Sequence, residues 1–144
     1  MNRQELIERA ARITPPSIKS ASEYGEKSQI MAAELNMIMS ARPDLDSLIG
    51  KNNRDMMEDN HRNHARFISS LILDYRPDVL VDTVIWVFRA YRAHGFKLTY
   101  WPAQLDIWVN VLKKHLSQDA YQEIYPIYDF MIVNQALFAR LSTN

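Results

Sequence analysis

Between Asn60 and Trp101 the sequence gathers three of its four histidines and two of its three tryptophans. Two spacings within this stretch invite a metal reading. Glu58-x-x-His61 matches the motif that puts a carboxylate and an imidazole on one helix face in di-iron four-helix bundles, but those sites need two such motifs and two further glutamates. No second Glu-x-x-His occurs, and a solvated Glu–His pair accounts for the residues. His61-x-x-His64 could share one metal, yet a stable site takes three or four ligands and no fixed spacing supplies the others. A buried, hydrogen-bonded His64 beside a more exposed His61 accounts for that pair.

Two further readings need no metal cluster. Asn60 and His64 facing Trp86, Arg89, Tyr91, His94, Tyr100 and Trp101 could line a pocket for a small organic or anionic ligand, because aromatic bodies with polar tips then converge on a few charges. The alternative is that the aromatic rings are core and the arginines complement a helix C-terminus. A haem site would use His94 as proximal ligand with His64 on the distal helix; against it, His94 stands before Gly95 amid Arg89, Arg92 and Lys97, a polar setting for an iron ligand. No Gly-rich phosphate loop, Gly-x-Ser-x-Gly or His-Glu-x-x-His occurs. A small helical enzyme acting at the same cluster stays open, without a substrate.

The bulk composition narrows the classes. A chain of 144 residues can bury roughly two-thirds of its unfolded surface in one domain, 1–144. Seventeen basic side chains balance seventeen acidic ones, without the basic excess that phosphate neutralisation demands, so no nucleic-acid partner is expected. The absence of cysteine removes disulfides, thiolate zinc sites and cysteine nucleophiles. The charged N-terminus does not read as a signal peptide. The longest near-apolar run, Val79 to Phe88, carries Asp82 and is far short of the roughly 20 residues of a membrane span. A cytoplasmic protein without membrane contact is the expectation.

These residues must be positioned by helices. With three glycines and no bounded run of alternating apolar and polar residues, the sequence predicts an all-α domain of about six helices. Asn2 and Glu5 have capping-box spacing and open a short helix to about Ile13. From Ser17 to Ala41, Ile18, Ala21, Gly25, Ser28, Ala32, Leu35 and Met39 recur as the seam of a long helix, with Gly25 expected at a tight helix crossing. Asp44 to Gly50 is a loop or short helical turn. A third long helix, about 53–75, sets Met57, Asn60, His64, Phe67 and Leu71 on one stripe. The fourth, about 78–94, is apolar over most of its circumference, the pattern of a central helix, with Gly95 as its C′ residue. The fifth carries Trp101, Leu105, Trp108, Leu112 and Leu116. The sixth, about 119–141, carries Tyr121, Ile124, Tyr128, Met131 and Phe138, and Pro126 should kink it or confine its regular part to the residues beyond the proline.

The run from Asn60-His61 through Phe67, Leu80, Val84-x-Trp86, Arg89 and Gly95 to Leu105 resembles globin-like, generally haem-less helical sensor domains of bacterial regulators. The likeness covers about half the chain. It implies a globin-like helical bundle, a homodimer formed largely through the last two helices, and a sensory or scaffolding role without catalysis. The sequence ends at Asn144 without an output domain of the kind those regulators carry, so such a sensor would report to a separate regulatory protein. The aromatic content of the last two helices, Trp108, Tyr121, Tyr125, Tyr128, Phe130 and Phe138, independently suits a homodimer interface. The expectation is therefore a non-catalytic sensory or protein-interaction module with a small ligand near Asn60, His64, Trp86, Arg89, His94 and Trp101. Haem bound through His94 is the alternative and a small enzyme the second.

Overall fold

Every described element is a helix, and several start or stop where a capping side chain or a glycine dictates. The structure is a computed structural model that describes residues 2–143. α1 (Arg3–Ala11) opens on Asn2, whose side chain accepts from the Glu5 amide at 3.1 Å, satisfying one of the donors that a helix N-terminus leaves without a partner. α2 (Ile18–Ser40) opens on Ser17, which does the same for Ser20. α3 (Leu45–Ile49) is a single short turn of helix; α4 (Arg54–Leu71), α5 (Pro77–Ala93), α6 (Tyr100–His115), α7 (Gln118–Val133) and α8 (Gln135–Leu141) come after it.

The all-α expectation holds, with eight helices among the described residues and not six. One of the two additional helices is α3. The other arises because the last predicted helix breaks at Asn134. There the Asn134 side chain donates back to the Phe130 carbonyl at 2.8 Å, competing with its own backbone N–H for that acceptor, and accepts from Arg9 at 2.5 Å. Pro126 does not confine α7, which runs through it.

α2 is the hub. It packs along α4 and also touches α6 and α7, and it buries Ala21, Tyr24, Ser28, Met31, Ala32, Leu35, Asn36 and Met39. The expected seam is right in its middle and wrong at two positions. Ile18 is 80% exposed, and Gly25 is exposed, with nothing within 4 Å of where its Cβ would stand, so no tight crossing explains it. Gly25→Ala should therefore stabilise the protein by about 0.5–1 kcal/mol through helix propensity, read as a higher urea midpoint at unchanged slope. α5 is not central either: it packs on α1 and α8, and Trp86 stands 62% exposed on its outer side.

Polar side chains tie helix ends together. Glu23 of α2 accepts from the Ser117 amide and hydroxyl at the start of α7, while Glu123 of α7 accepts from the Ser17 amide and Ser20 hydroxyl at the start of α2. Each carboxylate caps the other's helix, and both are held below the usual carboxylate range, first by these hydrogen bonds. α5 ends in the predicted C′ glycine: Gly95 has φ +100°, and Phe96 and Gly95 donate back to Tyr91 and Arg92, a Schellman closure. Asn53 clasps this end to α3 by donating to the Ile49 and His94 carbonyls at 2.7 and 2.8 Å.

Of the aromatic residues expected at a homodimer interface, Trp108, Tyr128, Phe130 and Phe138 are buried in the chain's own core. Tyr121 and Tyr125 keep partial exposure.

Candidate ligand-binding site

α4 presents two adjacent rows of side chains. Met57, His61, Ala65 and Ile68 are fully buried at 0% exposure, on a helix packed along α2. Asn60, His64, Phe67 and Leu71 form the neighbouring row. The expectation of a buried His64 beside a more exposed His61 is thereby reversed: His61 is fully buried, while His64 keeps partial exposure as part of a cavity wall.

His61 is the centre of one polar network. Its Nδ1 lies 2.5 Å from Asn36 Oδ1 on α2, and its Nε2 lies 2.8 Å from the Tyr100 hydroxyl on α6. An amide oxygen can only accept, so the ring carries its proton on Nδ1 and accepts at Nε2. The Tyr100 hydroxyl, also 2.8 Å from Asn60 Oδ1, shares one proton between two acceptors. Burial lowers the His61 pKa to about 3, with lesser contributions from His64 and Arg62, and raises that of Tyr100 well above its ordinary value. The imidazole is therefore neutral at pH 7.

A second network runs from α2 through α7 to α4. Tyr24 and Tyr128 hydroxyls lie 2.7 Å apart, and the Tyr128 hydroxyl lies 2.8 Å from His64 Nε2. Tyr24 is fully buried and its hydroxyl has no acceptor other than Tyr128 among the described residues, so its proton must point there. Tyr128 then donates to His64 Nε2, and His64 carries its own proton on Nδ1. That N–H meets no acceptor among the described residues. Burial lowers the His64 pKa to about 3 as well. The ring packs against Trp108 with centroids 4.8 Å apart.

These groups back a cavity of about 210 Å³, larger than the roughly 150 Å³ that already accommodates a benzene ring. Phe67, Trp86, Phe88, Tyr91 and Trp101 supply aromatic walls; Val84, Val87, Leu105 and Met131 supply the aliphatic remainder. Asn60, Asn63, His64, Thr83 and Gln104 are the polar members, and no Asp, Glu, Lys or Arg lines it. Phe88 and Trp101 stack at 4.4 Å, fixing one wall, and the exposed Trp86 stands at the rim. Gln104 is 4% exposed, and its Oε1 is buried without a hydrogen-bond partner among the described residues, as is the indole N–H of Trp101.

Of the residues singled out from sequence, Asn60, His64, Trp86 and Trp101 converge on this cavity. Arg89 and His94 do not. Arg89 donates to the Leu141 carbonyl at 3.3 Å, and Arg92 donates to the Ala139 carbonyl at 3.0 Å, so the arginines complement the C-terminus of α8 and not that of their own helix. His94 is exposed at the end of α5. The residues present therefore do not fit a haem held through His94. Glu58 and the two α4 histidines form no metal cluster among the described residues, since both imidazoles are engaged by amide and hydroxyl partners. Gln104, Asn36 and the Tyr24–Tyr128 pair escaped the sequence reading. Gln104 could have been found, because it lies three residues after Trp101 and four before Trp108 on the buried stripe of α6. No helix among the described residues is long and apolar enough to cross a membrane.

No protein-family model matches the chain, and no curated protein or solved structure matches it.

Proposed function

We propose that the protein is a non-catalytic, globin-like helical sensory module whose signal is an uncharged small molecule held between α4, α5 and α6. The observation that carries this reading is the Gln104 side chain: it lines an aromatic cavity, and its Oε1 is buried without a protein partner among the described residues. An unpaired buried polar group costs roughly 1–3 kcal/mol, and a ligand that meets the Gln104 amide would offset that cost. The absence of charge in the lining sets the sign of the ligand, because an ion would lose its hydration with no counter-charge to meet it. His64 lines the same space. Through Tyr128 and Tyr24 it joins the cavity to α2, against which α4, α6 and α7 pack.

The test is ligand-observed NMR with uncharged one- and two-ring aromatic compounds. Saturable binding to the wild-type protein is expected, with loss in Val87→Phe, whose added ring would fill part of the cavity. Absence of binding across the set, or equal binding to the filled variant, would sink the reading. Independently, Gln104→Leu should raise stability by about 1–3 kcal/mol by removing the unpaired amide, measured by urea denaturation.

A further inference from the structure

We propose that the ligand of this cavity is a planar, uncharged heterocycle carrying an N–H donor and a carbonyl acceptor side by side on one edge, a lactam-type edge, read by the Gln104 carboxamide. This rests on the ligand-binding reading above and goes beyond it by assigning the polar chemistry of the occupant. A primary amide presents one acceptor and one donor direction in a single plane. A lone hydroxyl or a lone carbonyl satisfies half of that pair, whereas an adjacent donor and acceptor close two parallel hydrogen bonds, as Gln and Asn side chains do on a base edge.

Three features of the site favour this occupant. Gln104 lines the cavity, no hydrogen bond among the described residues ties either end of its amide to the protein, and its Oε1 lies beneath the cavity surface, covered from water. Its terminal torsion is broad and soft, so the plane turns toward the cavity at little cost. The walls made by Trp86, Trp101 and Phe67 suit a flat ring. The lining holds no charged side chain, which disfavours a carboxylate or an ammonium on the same scaffold.

Three compounds of one two-ring shape separate the possibilities: 2-quinolone, which has the lactam edge; naphthalene, which has no polar atom; and 2-naphthoate, which has a charge. Affinities are measured by calorimetry and ligand-observed NMR on the full chain, on Gln104→Leu, and on Gln104→Met, an unbranched second replacement that keeps the packing. Wild-type protein should bind 2-quinolone at least tenfold more tightly than naphthalene and should not detectably bind 2-naphthoate, since an unmet buried amide penalises the ligand that lacks its complement. Either substitution should reverse the order of the first two. Naphthalene binding as tightly as 2-quinolone in the wild type would overturn the lactam assignment and leave the apolar site standing. A preference for 2-naphthoate would overturn the uncharged class. Failure of all three to bind would overturn the site itself.

Discussion

His61→Ala should destabilise the protein by about 3–5 kcal/mol, more than any other single polar substitution in the fold. The ring is fully buried and serves partners on two other helices, Asn36 on α2 and Tyr100 on α6. Its removal leaves a void beside Trp108, which it meets edge-on at 6.5 Å. It also leaves the Asn36 amide oxygen without its donor. Each unmet buried group costs roughly 1–3 kcal/mol, and the truncated ring adds a cavity penalty of the kind seen for large-to-small core substitutions. Urea denaturation of the variant against wild type measures the loss. A loss below about 1 kcal/mol would mean that the network does not hold α2, α4 and α6 together.

Acidification should cost stability through the same residue. In the folded protein the His61 pKa is lowered to about 3 from its ordinary 6.5, chiefly by burial. A depressed pKa means that the unfolded chain takes up the proton first. The stability this imidazole contributes is therefore fully present above pH 6.5, declines as pH falls below it, and is exhausted near pH 3. At about 1.36 kcal/mol per pH unit, His61 alone should remove about 2 kcal/mol between pH 7 and pH 5. His64 is shifted in the same direction but keeps a face on the cavity, so water there reduces its share. Urea denaturation at pH 7 and pH 5 provides the measurement, and a fall of under about 0.5 kcal/mol would contradict a buried neutral His61. His61→Ala should flatten the dependence, which separates its share from that of the carboxylates.

A helical stripe encodes one packed side, and that limit decides which elements were legible before folding. The α6 row of Trp101, Leu105, Trp108 and Leu112 is buried as its spacing says, but Tyr100, Gln104 and Val111 beside it are buried too, because α6 packs on both α2 and α7. α4 shows the same widening. Side chains of α2, α6 and α7 meet its buried arc, so that arc is wider than a single stripe, and His61, one step off the stripe through Asn60 and His64, becomes the deepest polar residue in the fold. α5 failed in the opposite sense. Its apolar content suggested a helix covered all round, but Trp86 serves the rim of a cavity and keeps one side open. Of the six site residues chosen from sequence, the four with aromatic or neutral polar side chains meet. The cationic Arg89 and the helix-ending His94 of α5 went instead to helix termini, where carbonyl groups without helical partners draw cations and where a left-handed glycine closes the turn. Asn134 is a weak sequence signal for the break it makes, since asparagine marks helix ends less sharply than glycine or proline.

The three tryptophans are not evenly spread. Trp86 and Trp101 line the cavity, and Trp108 packs on the His64 ring at its back. Every indole in the molecule therefore either faces that space or touches a side chain that does. The protein carries its own optical reporter: intrinsic emission from unlabelled material will register occupancy, and it will register protonation of His64 through the one indole that touches it.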